Sequence, residues 1–346
     1  MDNSALSWSL DTLRELLAID SPVGYTDAAA NYSMDLLRKL GYEPKLTKKG
    51  GVLCCLGGED AEDGLLISVH LDTIGAMVSQ IKSNGRLKMA PLGAFTANNA
   101  DGECVRVHTR TGEVYDGTIQ LVNASLHVVG SQAHSATLRT YDTVECVLDE
   151  NVHSAAEVRK LGIEVGDFVC PEPRLMITDS GYIKAHFLDD KLCVAIALAY
   201  ARRLKEENIT PKRQIWLHLT VFEEQGHGGS ATMPEGVSEI LAMDMGCVGE
   251  GVTCTEHEVS ICAKDSSGPY NYASTSRLIA LAKEKELGYA VDVYGHYSSD
   301  GDTAVRTFDI RHTLIGPGVY ASHGYERSHK DGVRNTFDLL CAYADN

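Results

Sequence analysis

Residues 214–230 read "QIWLHLTVFEEQGHGGS", and how this stretch is interpreted decides how the chain is interpreted. Its first half is aromatic and β-branched, as suits a buried strand. The run then meets two adjacent glutamates, Glu223 and Glu224, followed by a glycine-rich turn. Like charges at the end of a buried strand are unfavourable without an offsetting partner. Neighbouring strand residues also point to opposite faces, so the glycine turn beyond them is expected to bring both carboxylates to one place.

Other apolar runs end in the same way. "LLISVH" closes on His70 with Asp72 two residues on, "EILAM" leads to Asp244, and "HTLIGPGVYAS" leads to His323. In open α/β sheets the carboxyl ends of the strands converge on the ligand crevice. A further stretch, "KAHFLDDKLCVAIAL", sets Asp189 and Asp190 just before a helical pattern. Either could be an N-cap, but a cap needs only one of them. Any one of these residues alone is more often a packing or loop residue. Together they imply a cation, because buried anions without partners are very costly. Two histidines, several carboxylates and no cysteine suit zinc, cobalt or manganese.

Around these stretches the first and last thirds alternate strand-like and helical patterns, such as "SALSWSLDTLRELLAI" and "KLCVAIALAYARRLKEEN". This predicts an α/β fold with a mostly parallel central sheet flanked by helices. Between them the texture changes to short alternating segments, with turn signals at Asn84-Gly85 and Thr111-Gly112. A small inserted β unit, barrel-like, is expected there. The boundaries expected are 1–75 with 180–346 for the main domain and 76–179 for the insertion.

The 346 residues carry 31 Lys plus Arg against 48 Asp plus Glu, a formal charge of −17, which disfavours nucleic acid and anionic membranes as partners. The N-terminus lacks a basic, apolar leader and no run is long enough to span a bilayer, so a cytoplasmic location is expected. The ten cysteines are scattered and read as reduced and buried.

With these residues in view the chain resembles the tetrahedral, glutamyl and deblocking aminopeptidases, dinuclear metallopeptidases of which some carry an endoglucanase label. The resemblance spans nearly the whole chain through "SPVGYTD", "VHLDTIGAMV", "FLDDK", "VFEEQGHGG", "AMDMG" and "ASHGYERSH", in the family's order. It implies a zinc-aminopeptidase-like fold whose inserted domain mediates dimerisation, and homo-oligomers from dimer to dodecamer. It also implies two divalent metal ions per subunit, with His70 and Asp244 on one, Glu224 and His323 on the other, and Asp189 bridging. Asp72 would orient His70. Glu223 would be the general base that takes a proton from the attacking water and delivers it to the leaving amine. The substrates implied are short peptides with a free N-terminus. Lys191 stands where many relatives have Arg, and His329 is a second candidate beside His323. Asp300 in "YSSDGDTAV" is a candidate contact for the peptide's amine, although Asp is common in turns.

Three other readings compete. "GHGGSA" loosely matches a dinucleotide turn, but Glu223 and Glu224 would face the pyrophosphate. A glycoside hydrolase would need paired carboxylates yet leaves His70 and His323 without a task. A non-catalytic assembly protein that retains the fold would have no need of a complete set of ligands and base.

Overall fold

A computed structural model describes residues Met1–Asn346, and the chain divides into two compact units. One comprises Met1–Thr73 and Arg174–Asn346, and the other Ile74–Pro173.

The first unit is built on a twelve-stranded mixed sheet. Its centre is parallel: Arg213–Thr220 lies beside Asp60–His70, then Val237–Met243, then Arg311–Tyr320. These four strands are buried on both faces over their second halves, as a sheet covered by helices on each side requires. Antiparallel strands extend the sheet on both margins, with Val52–Gly57 on one side and Glu326–His329 and Tyr182–Ala185 on the other. The parallel register is nearly level, since Thr220 pairs with His70 and Met243 with Ile315. Three of the four strands therefore end at about the same height, while Arg311–Tyr320 runs on past Ile315 to pair with Gly246–Val248.

The helix Leu188–Glu206 has every residue from Leu188 to Ala201 buried. From Leu192 to Ala201 it is apolar all round, as an interior helix must be, and alternates alanines with larger side chains that let it pack closely. Asn3–Leu17 and Lys330–Ala344 pack against it. Lys191 is fully buried in the first turns of this helix, and its ammonium does not face the charged crevice. It donates to the carbonyls of Leu16, 2.9 Å away, and Ile19, 2.6 Å away. The side chain thus satisfies carbonyls left over where the first helix ends. Lys191 therefore ties two helices together.

The second unit is a closed six-stranded barrel in which Gly75–Ile81, Leu87–Leu92, Val144–Leu148, Val114–Leu121, Cys104–His108 and Phe168–Pro171 follow one another around the wall. The tight connections contain Gly85 at φ 82° and Gly112 at φ 92°, left-handed values that need glycine. The insertion is not purely β: short helices occur at Leu126–Val129, Ser131–Ala136 and Ala155–Lys160. The first two bury no residue, so no apolar periodicity marked them in the sequence. No helix of the chain is long and apolar enough to cross a membrane.

The buried ammonium gives the first prediction. Replacing Lys191 with Met keeps the volume but leaves two carbonyls without a charged donor, and should cost about 3 kcal/mol. Urea unfolding of the variant measures this. A change under about 0.5 kcal/mol, the scale of ordinary surface substitutions, would mean that the ammonium contributes no net stability.

Candidate metal centre

Each residue of the crevice is placed by a specific backbone device. His70 is the last residue of its strand. The neighbouring strand stops at Thr220, and Glu223–Gln225 form a single 3-10 turn between Phe222 at φ 70° and Gly226 at φ 68°. The glutamates therefore do not lie on the strand, as the sequence suggests. The chain has already turned at Phe222, a residue whose side chain gives no hint of a left-handed backbone.

Asp72 holds that turn in place. One carboxylate oxygen accepts from the N–H of Glu223 at 3.2 Å and the other from Glu224 at 3.1 Å. His70 is oriented through the same residue, but by its main chain: Nδ1 lies 2.8 Å from the Asp72 carbonyl oxygen and 3.7 Å from its carboxylate. The expected link from Asp72 to His70 thus runs mainly through backbone, and the carboxylate serves the glutamates.

Glu326, buried at 2% exposure, plays the corresponding part on the other side. Its two oxygens accept from the N–H of Asp189 at 3.1 Å and of His323 at 3.0 Å. Sequence reasoning missed this residue. The one available signal was an acid opening the short strand "ERSH", overshadowed by the histidines on either side. Asp244 follows its strand directly and donates its N–H to the Ile315 carbonyl at 3.1 Å. Gly316 permits this approach, since a Cβ there would lie 1.7 Å from the Asp244 carbonyl oxygen.

Asp189 and Asp190 are joined by a cis peptide and occupy the first turn of Leu188–Glu206, where neither is the N-cap. Asp190 accepts from the His70 N–H at 3.0 Å. Asp189 instead reaches into the crevice. His70 Nε2 is 3.1 Å from one of its oxygens, and His323 Nε2 is 3.4 Å from the other. Glu224 lies 3.6 Å from His323 Nε2, and Glu223 lies 4.0 Å from His70 Nε2.

Two groups of potential ligands result, each with its donor atoms within 4.8 Å of one another: His70, Asp189 and Asp244, and Asp189, Glu224 and His323. Asp189 belongs to both. Of the other singled-out residues, His329 lies apart, as the N-cap of the last helix. Asp300 opens the helix Asp300–Thr307 and does not sit in a turn. Its carboxylate is enclosed, accepting from the Thr220 hydroxyl and packing against Gly228 behind the glutamates, and its Oδ1 has no hydrogen-bond partner.

The electrostatics indicate what the crevice is suited to hold. Burial drives Glu223 and Asp244 well above the carboxylate range, and burial with the charge of Asp189 pushes Glu224 up to about 8. Burial also opposes ionisation of Asp189, but hydrogen bonds with His323 and His70 outweigh it and hold this acid low. Burial disfavours the charged imidazoles too, yet Asp189 raises His70 well above its usual value and His323 to about 10. With Nδ1 of His70 donating to a carbonyl, a neutral ring turns its Nε2 lone pair on an Asp189 oxygen. Either protons or cations must stand between these groups. Nitrogen and oxygen donors without thiolate fit divalent zinc, cobalt or manganese.

This predicts how the chelated protein responds to pH. The raised acids retain in the folded chain protons that the unfolded chain has lost. Each therefore contributes stability that is fully present below its unfolded pKa and disappears as pH rises through its folded pKa. For Glu224 that window runs from 4.5 to about 8. The raised histidines act in the same direction, while the contribution of Asp189 is complete above its ordinary 3.8. After chelation, the Tm should fall between about pH 5 and pH 8, and added zinc should raise it more at the upper end. A Tm of the stripped protein that rises across this range would contradict the reading.

Comparison with known proteins places these features in context. A family model described as M42 glutamyl aminopeptidase matches residues 50–339. YhfE of Bacillus subtilis (strain 168), provisionally named an aminopeptidase, is 39% identical over 339 residues, which cover 98% of this chain and 97% of that protein. Among solved structures, a TET aminopeptidase from the marine sediment archaeon Thaumarchaeota archaeon SCGC AB-539-E09 superposes with a TM-score of 0.88 at 18% identity, covering 98% of this chain and 97% of that one. The Pyrococcus horikoshii TET1 peptidase, described as able to assemble into a tetrahedron or a large octahedral shell, gives 0.83 at 18% identity and covers 97% and 99%.

Proposed function

The chain belongs to the M42 glutamyl aminopeptidase family of peptide-bond hydrolases, and from that membership we propose that it removes N-terminal residues from short peptides at a dinuclear metal centre, with Glu223 as general base. The observation that carries this reading is the position of Asp189, shared by two ligand groups that each contain one imidazole and one further carboxylate.

His70 and Asp244 would hold one divalent cation, Glu224 and His323 the other, with Asp189 between them. Zinc suits this donor set, as do cobalt and manganese. Bound there, the pair would supply Lewis acidity toward the scissile carbonyl and toward water. The chain's own residues do the rest. Glu223 stands within 4.0 Å of His70 Nε2 without belonging to either ligand group. Its carboxylate takes a proton from water as the oxygen attacks the carbonyl carbon, then gives that proton to the amine as the C–N bond breaks. Burial raises its pKa above the ordinary carboxylate range, which makes it a stronger base than an exposed carboxylate. Asp72 keeps Glu223 and Glu224 in register through their two N–H groups. No covalent intermediate is required.

In this reading the barrel is a dimerisation module and the protein is a homo-oligomer, supported by the fold it shares with assembling TET peptidases. Asp300 remains a candidate for the peptide's amine. A two-acid glycosidase mechanism leaves the pair of imidazoles on Asp189 unexplained.

Two substitutions test the assignment. Glu223→Gln should lower kcat on aminoacyl-anilides by about 10²–10⁴-fold, with metal content at the parent's level. Wild-type turnover in this variant would sink the proposed base. Asp189→Ala should lose both cations together in metal analysis, and retention of both would remove Asp189 from its bridging role.

A further inference from the structure

A second cluster of imidazoles lies away from the crevice. His257 precedes the strand Val259–Lys264, His329 ends the strand Glu326–His329, and Asp331 lies in the first turn of the helix Lys330–Ala344. The two imidazole rings are 4.0 Å apart with planes inclined by 35°. Both present Nδ1 to the same carboxylate oxygen of Asp331, at 2.9 Å from His257 and 3.2 Å from His329. The three donor atoms fall within 4.8 Å of one another.

The outer nitrogens fix what the inner ones can do. His329 Nε2 lies 2.8 Å from the Ser180 carbonyl oxygen, which can only accept, so Nε2 carries the proton. A neutral ring then has its lone pair on Nδ1, where the Asp331 N–H donates at 3.0 Å and the Asp331 carboxylate also crowds in. On His257 the outer Nε2 is 3.4 Å from the Tyr182 hydroxyl, a group that can either donate or accept. In the neutral ring Nδ1, facing the acceptor-only Asp331 carboxylate at 2.9 Å, carries the proton, and the Tyr182 hydroxyl can follow a change of tautomer by switching from donor to acceptor. Holding both rings as cations would set two positive charges at near-stacking distance.

We propose that His257, His329 and Asp331 form a third cation site, separate from the catalytic centre, for a divalent ion of the zinc, nickel or copper class. The ion takes the Nδ1 lone pairs of both rings and one carboxylate oxygen. The Nδ1 proton of His257 is transferred to Nε2, where the Tyr182 hydroxyl accepts it, so no net proton is lost. The Asp331 N–H gives up its imidazole partner at an end of the helix open to water. Each ligating ring is then backed by an oxygen at its other nitrogen, Ser180 for His329 and Tyr182 for His257, as metal-bound histidines usually are. Imidazole favours these ions over calcium and magnesium. Because the His257 and Asp331 side chains are 44% and 55% exposed, the remaining coordination positions face water. An ion bound here ties the turn before Val259–Lys264 to the last helix and to the strand that carries Glu326.

The test is zinc stoichiometry on the full chain, stripped with chelator, refilled with Zn²⁺ and counted by mass spectrometry and calorimetric titration. His257→Gln and Asp331→Asn should each bind one zinc fewer than the parent while still hydrolysing aminoacyl-anilides. In Asp189→Ala, where the crevice cations are expected to be lost, one zinc should still titrate and should vanish when His257→Gln is added. Equal zinc in the parent and both single variants, with unchanged melting curves showing intact folds, overturns the proposal. If Asp189→Ala keeps every zinc, the catalytic ligand set fails, and the difference made by His257 is read independently.

Discussion

The arrangement depends on one constraint: several carboxylates are buried within a few ångströms of one another. Asp189, Asp244 and Asp190 are almost wholly removed from water, and Glu223, Glu224 and Asp300 adjoin them. Nothing in the low-dielectric interior makes such a group comfortable on its own. The two imidazoles, the backbone N–H groups and the divalent cations we propose each offset part of that cost. Remove the need to hold these charges together, and the left-handed Phe222 and the close approach at Gly316 have no evident reason to exist. Strain of this kind gathers where function requires it.

The folding logic derives from the same constraint. Three parallel strands in level register end where the charges begin, and the fourth, Arg311–Tyr320, runs on past that level, so the sheet acts as a bench on which short, irregular segments are set out. The helix Leu188–Glu206 brings Asp189 to that bench, anchored by fourteen consecutive buried positions from Leu188 to Ala201. The shared ligand we propose is thus carried by a deeply enclosed helix, whereas His323 and the glutamates ride on turns.

Much of this was legible in the sequence because two signals overlapped. The apolar runs marked the strands, and the polar residues at their ends marked the crevice, so His70, Glu223, Glu224, Asp244 and His323 could be singled out before any coordinates; the Asp189–Asp190 pair stood before a helix, and the choice of Asp189 came from the family resemblance. The structure brings all six together. The parallel centre was readable from the alternation of strand and helix, and the barrel from its glycine turns. What escaped was encoded in backbone geometry or in long-range contact. Phe222 gives no local sign of its positive φ. Glu326 matters through two N–H groups distant in sequence or fixed by a loop. The helix at Asp300 carried a legible cap, Ser299 with Asp302 three residues on, but Gly301 and the neighbouring serines made it look like a turn. Lys191 looked like part of the acidic motif because it adjoins it, yet its length lets it serve the first helix.

Asp72 and Glu326 have a further consequence. Each fixes two chain segments or neighbours through the two oxygens of a single carboxylate, Asp72 for Glu223 and Glu224, Glu326 for Asp189 and His323. Displacements within each pair are therefore correlated: when the anchor shifts, both members travel with it and their separation is conserved. Error in the site is common-mode within a pair and differential only between pairs. The crevice can widen or narrow as one half moves against the other, while the spacing inside each half is kept to the tolerance of a carboxylate's own bond geometry.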